Sequence, residues 1–521
     1  MPISARVFLI DTRVAQQYCH GKGVFMESCL KVVDVYKSFG AVKALNGINL
    51  EIRKGEIHCL AGENGCGKST LIKIISGIYQ LDSGHIELAG KQYTQIAPIE
   101  SIMNGVQVIY QDLSIFPNLP VFENIAFNSE LAKKKKLVNR KELRSIAQAA
   151  VEKIDFKVDM DALMGDLSVA DKQLVAISRA LINDAKLIIM DEPTTALTKR
   201  EVSSLFKTIR DLQQRGISIL FVSHKLNEVF EISDRFTILR NGENAYSGTT
   251  GELDENKFAY YMTGREFAYE TFAPLKLSEK PVLEVSKLSL NNVFQDINFS
   301  LYKGEILGIT GLLGSGRTEL ALSLFGAVKE IDGDIRVNGK KVKLRKIRHA
   351  IQNGIGYVPE DRLSEGLFLQ QSIGENIIIS KIDQLTNKVK ILNKKLRKAE
   401  IEKWVKNLAI ATPNPSNAVT TLSGGNQQRV VLAKWLSRNL DVLILNGPTV
   451  GVDIASKYDI HQILKKLAAE QMGLIVISDD IPEILRLCNR ILIMKDGRLT
   501  GEFQQGDVTE KEISDLLLAG I

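Results

Sequence analysis

Hydrophobic positions along the chain fall into short, mainly apolar runs that are separated by longer segments of helical pattern. Runs of this kind occupy Ile57–Ala61, Val106–Tyr110, Leu187–Met190 and Gly216–Val222. Apolar runs of this length are typical of central strands in a parallel sheet, because such strands are buried on both faces. Strands that alternate with helices predict an α/β fold with a largely parallel sheet.

Further elements complete the pattern in the first half of the chain. Alternating hydrophobic positions predict strands at Leu30–Val35, Ala44–Ile52 and Ser83–Leu88. A helix is predicted at Leu71–Ile78, and residues 122–185 are mostly helical in pattern and include a lysine run at 133–136. A run of like charges is typical of a solvated face and predicts no further role.

The whole series occurs twice. Lys54-Gly55-Glu56 recurs as Lys303-Gly304-Glu305, an offset of 303 − 54 = 249, and beyond the helical part the offset becomes 423 − 168 = 255. Two homologous halves whose helical parts differ by 255 − 249 = 6 residues explain both offsets. The predicted organisation is an N-terminal extension at 1–26, a first domain at 27–264, a linker at 265–280 and a second domain at 281–521.

Residues 1–25 do not continue this pattern. Their only apolar cluster, Val7–Ile10, is too short for the hydrophobic core of a signal peptide. One codon choice for Gly21–Phe25 would place a purine-rich ribosome-binding sequence directly before Met26. This favours a true start at Met26 over the alternative, which is a genuine disordered extension.

Composition limits the classes of function. The 521 residues are 45% hydrophobic and 25% charged, with a formal net charge of +6. No apolar run approaches the ~20 residues of a membrane-spanning helix, so we expect that the chain does not cross a membrane by itself. The mild positive charge does not indicate nucleic acid and is compatible with work beside an anionic membrane surface. The five scattered cysteines predict neither a disulfide framework nor a zinc site, and they fit a reducing cytoplasm.

The segment Gly62–Thr70 reads G-E-N-G-C-G-K-S-T and has the full spacing of a phosphate-binding loop between a strand and a helix. Its glycines allow backbone N–H groups to face the β- and γ-phosphates, beside the positive end of the helix dipole. Lys68 supplies a mobile charge, and the Ser69 hydroxyl is placed to ligate Mg²⁺. Cys66 lies in the same positive environment, which should favour its thiolate, although an inert small residue would also suit this position. The predicted nucleotide-binding residues of this loop are Gly62, Glu63, Asn64, Gly65, Cys66, Gly67, Lys68, Ser69 and Thr70.

Acidic and polar residues follow the other apolar strands. Asp191 and Glu192 end one of them, as a Mg²⁺-holding aspartate and a water-activating glutamate do in many ATPases. Gln111 and His224 follow two others. In the second half, Leu422–Gln428 reads L-S-G-G-N-Q-Q before a predicted helix. A glycine pair at a helix N-terminus forms a further anion-binding site.

Nearly all of residues 27–521 resemble the ATP-binding cassette (ABC) ATPases, whose signature sequence the L-S-G-G-N-Q-Q segment resembles. More narrowly, the chain is similar to the tandem ATPase subunits of bacterial ribose/galactose-type sugar importers. The second phosphate loop, G-L-L-G-S-G-R-T at 311–318, and the V-P-E-D-R segment at Val358–Arg362 are the most specific to this group. The resemblance implies two tandem ABC domains, each with a RecA-like parallel-sheet core and a helical subdomain, associated head to tail. Each ATP would then lie between the phosphate loop of one half and the signature of the other.

The resemblance implies that one of these two composite sites is complete. Its residues from the first half are Phe39, Gly62–Thr70, Gln111, Asp191, Glu192 and His224, and those from the second half are Ser423, Gly424, Gly425 and Asp453. The expected catalytic residues are Lys68, Gln111, Glu192 and His224, and the expected Mg²⁺ ligands are Ser69, Gln111 and Asp191. Glu192 would polarise the attacking water, His224 would sense the γ-phosphate, and Phe39 would stack on adenine.

The other composite site is degenerate. The residues of its phosphate loop that remain to bind nucleotide are Gly311, Gly314, Gly316, Arg317 and Thr318, with Arg317 in place of the lysine. The other counterparts are Leu288 for Phe39, Glu360 for Gln111, Asn446 for Asp191, Gly447 for Glu192 and Asp479 for His224. Its signature, Leu167–Asp171, lacks both glycines, and Thr198 replaces Asp453. We therefore predict a site that has neither a metal carboxylate nor a base and that binds nucleotide weakly at most.

The resemblance also implies partners at the cytoplasmic face of the cell membrane. ATP-driven closure of the halves would act on two membrane-spanning permease subunits, which would dock against Asp112–Phe127 and its counterpart after Glu360. A periplasmic or lipid-anchored solute-binding protein would deliver a sugar, and nucleic acid is not an expected partner.

Three alternatives stay open. They are an importer of the same architecture for nucleosides, a soluble tandem ABC protein acting on ribosomes, and a nucleotide-binding regulator without turnover. The short linker and the degenerate site weigh against the second alternative. The intact Glu192 and His224 weigh against the third.

Overall fold

The computed structural model describes residues 27–132, 139–195, 197, 199–266, 280–312, 314–387 and 391–518. The predicted N-terminal extension, the lysine run at 133–136, Thr198 and most of the predicted linker lie outside these residues. The chain forms two compact units, Met1–Gly264 and Arg265–Ile521. Among the described residues, no helix combines the length and the apolar character that a membrane span requires.

Strands and helices alternate along the first unit. Its strands are β1 (Ser28–Phe39), β2 (Val42–Arg53), β3 (Ile57–Gly62), β4 (Ser83–Leu88), β5 (Lys91–Tyr93), β6 (Val106–Ile109), β7 (Leu187–Asp191), β8 (Ser218–Ser223), β9 (Arg235–Arg240) and β10 (Glu243–Thr249). Its helices are α1 (Lys68–Ile75), α2 (Pro98–Met103), α3 (Val121–Ala132), α4 (Arg140–Glu152), α5 (Val169–Ala180), α6 (Lys199–Gln214), α7 (Leu226–Ile232) and α8 (Glu255–Thr263). The strands predicted from the apolar runs are confirmed, with ends that differ by one or two residues.

A mixed sheet with the strand order β10-β9-β3-β8-β7-β6 forms the centre of the first unit. Strands β6 to β9 and β3 pair in parallel, and β10 adds an antiparallel edge. All side chains of β3 and β8 are buried, as their apolar runs predict. A separate antiparallel sheet, with the order β2-β1-β4-β5, packs its apolar side chains together with α1 in one core.

Helices α3, α4 and α5 form a layer with a core of its own. Val121 and Ile125 of α3, Leu143 of α4 and Val175 of α5 are buried together in this core. Apolar residues three to four positions apart lie on one face of a helix, which explains how each helix covers its neighbours. This layer is the helical part that the pattern of residues 122–185 predicts.

The second unit repeats the architecture of the first. Its strands are β11 (Pro281–Leu290), β12 (Phe294–Tyr302), β13 (Ile306–Gly311), β14 (Ile331–Val337), β15 (Lys340–Val342), β16 (Ile355–Val358), β17 (Val442–Asn446), β18 (Gly473–Ile477), β19 (Arg490–Lys495) and β20 (Arg498–Gln504). Its helices are α9 (Arg317–Leu324), α10 (Ile347–Gln352), α11 (Ile373–Ile378), α12 (Lys394–Asn407), α13 (Gly424–Leu436), α14 (Ile454–Ala469), α15 (Ile481–Leu487) and α16 (Glu510–Leu518). The sheet orders β16-β17-β18-β13-β19-β20 and β12-β11-β14-β15 match those of the first unit strand for strand.

The helix after the first phosphate loop begins and ends three residues earlier than predicted, at Lys68–Ile75 rather than Leu71–Ile78. Gly67 has a φ of 112°, a left-handed conformation that turns the loop directly into the helix. Gly77, with a φ of 79°, ends the helix. The predicted start at Leu71 is the first apolar residue after the loop, whereas the observed ends are set by Gly67 and Gly77. As a result, Lys68 and Ser69 belong to the first helical turn.

Candidate nucleotide-binding and catalytic site

Four segments of the first unit meet at one edge of its central sheet. The phosphate loop follows β3, Asp191 ends β7 and is followed by Glu192, His224 follows β8, and Gln111 follows β6. Because β6, β7, β8 and β3 are parallel neighbours, their carboxyl ends lie side by side. This is the edge at which α/β sheets bind ligands.

Two glycines fix the backbone of the phosphate loop through close packing. At Gly62, which has a φ of 154°, a Cβ would lie 2.5 Å from Sγ of Cys66 and 2.5 Å from the carbonyl oxygen of Leu239. At Gly67, a Cβ would lie 2.7 Å from the carbonyl oxygen of Ala44. The loop is therefore held between β2 and β9 in a shape that a larger residue would disturb.

Lys68 folds back over the phosphate loop. Its Nζ donates hydrogen bonds to the carbonyl oxygen of Gly62 at 2.6 Å and to that of Glu63 at 3.0 Å. These bonds place the ammonium group beside the N-terminus of α1, where the helix dipole is also positive. The two positive contributions together create a site that favours phosphate.

The predicted thiolate at Cys66 is wrong. The side chain is 5% exposed, and its Sγ lies 4.0 Å from Nζ of Lys68. Burial raises the pKa of the Cys66 thiol, and the opposing effect of the Lys68 charge is smaller. Cys66 is thus a small packing residue in the loop, which agrees with the alternative interpretation of its sequence position.

Glu192 and His224 form a hydrogen-bonded pair. Nδ1 of His224 lies 2.9 Å from Oε1 of Glu192, and since a carboxylate only accepts hydrogen bonds, the imidazole donates. This bond lowers the pKa of Glu192, and burial opposes it with a smaller effect. Glu192 is therefore held in the ionised form that a proton acceptor for water requires.

Oxygen ligands suited to Mg²⁺ lie beside this pair. Ser69 is in the first turn of α1, and Asp191 ends β7. Burial, and after it the charge of Glu192, raises the pKa of Asp191, while Lys68 lowers it. A cation would stabilise two adjacent carboxylates in this partly buried place, and Mg²⁺ prefers oxygen ligands. The residues present therefore fit Mg²⁺, with Gln111 exposed in the turn after β6.

Phe39 ends β1 as an exposed aromatic residue. Its ring is 45% exposed and lies edge-on to the ring of Tyr79, with 5.3 Å between the centroids. Nζ of Lys37 lies 5.5 Å from the centroid of Phe39. The counterpart in the second unit, Leu288, is fully buried and offers neither a ring nor an exposed surface.

The second unit builds a phosphate loop of the same shape with different chemistry. Nη1 of Arg317 donates to the carbonyl oxygen of Gly311 at 2.6 Å, as Lys68 does to Gly62 in the first unit. Nη2 of Arg317 also lies 3.9 Å from Oδ2 of Asp479. An anion therefore stands beside this loop at the position that the histidine has in the first unit. Gly314 and Gly316 keep the positive φ values of their counterparts, 81° and 93°.

The acidic pair of the first unit is replaced in the second by residues that cannot act in its place. Nδ2 of Asn446 lies 3.4 Å from Oγ1 of Thr318, so the hydroxyl that would ligate a metal meets an amide instead of a carboxylate. A Cβ at Gly447 would lie 2.8 Å from Cγ2 of Val450 and 3.1 Å from Cγ of Glu360. The second unit therefore lacks the glutamate, and a glutamate introduced at position 447 would be crowded by Val450 and Glu360.

The two signature serines make different hydrogen bonds. Ser168 caps α5, since its Oγ accepts from the N–H of Asp171 at 3.1 Å and donates to Oδ2 of the same residue at 2.8 Å. Ser423 precedes α13 without capping it, and its Oγ accepts from Nδ2 of Asn426 at 3.0 Å. Within the described residues, the hydroxyl hydrogen of Ser423 has no acceptor. Ser423 is thus available to donate to an anion, whereas Ser168 already donates to an acid.

The glycine at 424 is explained by the neighbouring side chain of Arg362, the last residue of the V-P-E-D-R segment. A Cβ at Gly424 would lie 2.7 Å from Nη2 of Arg362 and 3.0 Å from the carbonyl oxygen of Gly451. Arg362 donates to the carbonyl oxygens of Val450 at 2.8 Å and Gly451 at 3.0 Å. It therefore ties the V-P-E-D-R segment to the loop after β17 and passes directly over the signature. This role of Arg362 is visible only in the three-dimensional contacts. In the sequence, the glycine beside the signature serine is a signal that another group approaches the backbone closely.

A glycine is required at position 425 because the side chain of Ser456 packs directly against its Cα. A Cβ there would lie 2.0 Å from Oγ of Ser456, in the first turn of α14. Asp453 caps this helix, with its carboxylate oxygens accepting from the N–H of Ser456 at 2.8 Å and from Oγ of Ser456 at 2.9 Å. The signature and the segment that contains Asp453 are thus packed together within the second unit.

Both halves of the chain match the ABC transporter family, over residues 45–195 and 294–450. The chain belongs to this family. It is an ATP-hydrolysing ABC ATPase of the α/β class with two tandem P-loop domains. A solved ATP-binding cassette of an ABC transporter in its ADP conformation is 27% identical, with a TM-score of 0.42, and the match covers 46% of this chain and 99% of that one.

Curated relatives match this ABC ATPase along nearly its whole length. It is 40% identical over 491 residues to the protein of Bacillus licheniformis named "Ribose import ATP-binding protein RbsA", a match that covers 94% of this chain and 99% of that one. Proteins of the same name from Clostridium perfringens and Bacillus subtilis are 41% and 37% identical, each over 94% of this chain and over 97% and 99% of their own. The tandem arrangement is therefore shared with these relatives.

Proposed function

We propose that this ABC ATPase powers the import of a sugar through a membrane transporter. The observation that carries the proposal is the near full-length similarity to proteins named for ribose import. A relative from Geobacillus kaustophilus, 38% identical, carries the name "Putative ribose/galactose/methyl galactoside import ATP-binding protein". These names favour a sugar over the nucleosides of the alternative interpretation.

The first unit supplies the groups for hydrolysis. Lys68 and the loop N–H groups neutralise charge on the transferred phosphoryl group, and Glu192 polarises the attacking water. His224 keeps Glu192 ionised and oriented through the 2.9 Å hydrogen bond between them. Ser69, Asp191 and the amide oxygen of Gln111 would hold Mg²⁺, which supplies further charge neutralisation when it is bound.

We infer that the two halves associate head to tail, so that the signature of the second half completes the site of the first. The uncommitted hydroxyl of Ser423 supports this arrangement, because a phosphate would provide the acceptor that this hydroxyl lacks among the described residues. Gly424 and Gly425 bring backbone N–H groups to the start of α13, and Asp453 lies beside them. Contacts that exist only with the γ-phosphate then close the halves, and hydrolysis releases them.

The opposite site, formed by the loop at 311–318 and the signature of the first half, is proposed to be idle. Ser168 donates its hydrogen to Asp171, whose carboxylate would also repel phosphate at the start of α5. Asn446 and Gly447 supply neither a metal carboxylate nor a base. Nucleotide binding there would depend on Arg317 and the loop backbone alone.

The proposed partners are two membrane-spanning permease subunits, which would hold this chain at the cytoplasmic face of the membrane. Exposed apolar side chains in both docking segments support this, since Phe116 follows Gln111 in one unit, and Phe368 follows Glu360 in the other. A periplasmic or lipid-anchored solute-binding protein would deliver the sugar.

The test is purification from membranes followed by transport. The tagged chain should co-purify with a permease and a solute-binding protein, and that binding protein should bind a pentose or hexose and not a nucleoside. Uptake of the same sugar should require ATP and should be lost when Glu192→Gln replaces the wild-type chain in the complex. Co-purification with ribosomes, or a binding protein that takes nucleosides alone, would contradict the proposal.

A further inference from the structure

Glu228 is a buried carboxylate on α7 of the first unit. Its Oε1 accepts a hydrogen bond from Oγ1 of Thr194 at 2.6 Å, and its Oε2 accepts one from Oγ of Ser223 at 2.7 Å. Thr194 stands two residues after Glu192, and Ser223 directly precedes His224. One side chain therefore ties together the two backbone segments that carry the proposed base and its histidine partner.

The bonds around Glu228 are complete. Nζ of Lys225 lies 3.0 Å from Oε1 of Glu228 and donates to the carbonyl oxygen of Thr194 at 3.2 Å. The N–H of Lys225 donates to Oγ of Ser223 at 3.0 Å. Each carboxylate oxygen thus has a hydroxyl donor, and the buried charge has a cation. A buried polar network in which every group is paired fixes one geometry.

Glu192 adopts a backbone conformation that needs such support. Its φ is 48°, in the left-handed region that residues other than glycine avoid. Its N–H donates to the carbonyl oxygen of Val222 at 3.0 Å, and its carboxylate accepts from His224 at 2.9 Å. Both bonds cross from the segment after β7 to the end of β8, so both depend on the spacing that Glu228 sets.

We propose that Glu228 is a positioning residue for ATP hydrolysis, which holds the Glu192 segment and the His224 segment at the spacing that aims Glu192 at the attacking water. The inference rests on the proposed role of Glu192 as the base. A misplacement of ~1 Å at a reacting group costs about 100-fold in rate. The phosphate loop is held by other contacts, with β2 and β9, so loss of the tie should spare ATP binding.

In the second unit, Glu483 joins the corresponding two segments, although the base and its histidine partner are missing there. Oε1 of Glu483 accepts from Oγ1 of Thr449 at 2.6 Å, and Oε2 accepts from Oγ of Ser478 at 2.7 Å. The segments that it joins carry Gly447 and Asp479 in place of the base and the histidine. Oε1 of Glu483 also lies 2.8 Å from Nε2 of His461. Glu483→Gln therefore weakens the same two hydroxyl contacts in the same fold, together with the His461 contact, at a place where neither the base nor its histidine is present.

The experiment compares Glu228→Gln with Glu483→Gln in the full chain. An amide has one acceptor oxygen instead of two, so one hydroxyl loses its acceptor in each variant. We expect Glu228→Gln to lower kcat for ATP about tenfold or more while the KM for MgATP changes by less than about twofold. Both variants should lower the Tm, but Glu483→Gln should keep kcat within about twofold of wild type. Thr194→Val, which removes one arm of the tie, should lower kcat by a smaller factor.

A combination with Glu192→Asp, which keeps a carboxylate for residual turnover, separates positioning from damage elsewhere. If Glu228 acts through Glu192, then Glu228→Gln causes no further loss of single-turnover rate once Glu192 has been replaced. Additive losses, equal losses of kcat in Glu228→Gln and Glu483→Gln, or wild-type kcat in Glu228→Gln would each overturn the inference. A fully active Glu192→Gln single variant would instead overturn the assignment of the base, so the two failures can be told apart.

Discussion

Replacement of Ser423 by alanine removes the hydroxyl that we propose to contact the γ-phosphate at the competent site. The side chain does not cap α13, and the hydrogen bond that it accepts from Asn426 is exposed, so the variant should unfold close to the wild-type temperature. Loss of one donor to transition-state charge in a dry phosphate site costs ~2–4 kcal/mol of activation free energy. That corresponds to a roughly 30- to 1000-fold lower kcat.

Replacement of Ser168 by alanine should have the reverse effect. It removes the N-cap of α5, where Oγ of Ser168 accepts from the N–H of Asp171. Loss of an N-cap costs about 0.5–2 kcal/mol of folding free energy, so the Tm should fall. Because Ser168 would face the idle site, kcat should stay within about twofold of wild type. We therefore expect kcat to depend on Ser423 and the Tm to depend on Ser168.

The assay measures phosphate release at saturating MgATP and the thermal unfolding transition of the same preparations. The matched pair Ser423→Arg and Ser168→Arg extends the test, because an arginine adds bulk that blocks closure in addition to removing the hydroxyl. Ser423→Arg should abolish ATP hydrolysis. Ser168→Arg should be much milder, although Ser168 lies in the unit that carries the proposed catalytic groups.

Reversal of this order would refute the reasoning. If changes at Ser168 stop hydrolysis and changes at Ser423 do not, each unit uses its own signature and the head-to-tail assignment is wrong. The claim that the second site is idle would fall with it. Equal losses at both positions would mean that both sites turn over ATP, which also contradicts the proposal.

Three further predictions follow from the sites. Glu192→Gln should abolish turnover in single-turnover assays while MgATP binding stays intact, since the shape remains and the proton acceptor is lost; near-normal hydrolysis would place the base elsewhere. The double variant Asn446→Asp with Gly447→Glu should not restore turnover in a Glu192→Gln chain, because a side chain at 447 is crowded; recovered ATPase activity would contradict this. Cys66 should react slowly with maleimide at neutral pH, because it is buried and its pKa is raised, and rapid labelling would contradict its assignment as a packing residue.

The strands and the phosphate loop could be predicted from the sequence because local chemistry dictates both. Leu187–Asp191 is apolar up to its last residue, since a central parallel strand has no polar face. Phosphate binding requires Gly62, Gly67 and Lys68 at fixed spacing before a helix, so the loop is recognisable without its neighbours. Recurrence of these motifs at a constant offset then predicts the second unit.

Properties that depend on contacts between distant segments could not be predicted in this way. The positive neighbours of Cys66 in sequence suggested a thiolate, but burial decides its pKa. Arg362 acts on a loop 88 residues further along the chain. Glu228 joins Thr194, 34 residues before it, to the end of β8. A serine before a helix also gives no indication of whether it caps that helix, and this difference separates Ser168 from Ser423.

The second unit keeps the backbone of the catalytic loop although it lacks the catalytic acid. Gly447 has a φ of 58° and donates its N–H to Ile477 at 2.8 Å, where Glu192 has a φ of 48° and donates to Val222 at 3.0 Å. The loop after Gly447 continues to Asp453, which caps α14 beside the signature. The φ of Gly447 and its hydrogen bond to β18 therefore keep the backbone geometry of this loop in the second unit, although residue 447 is not a base.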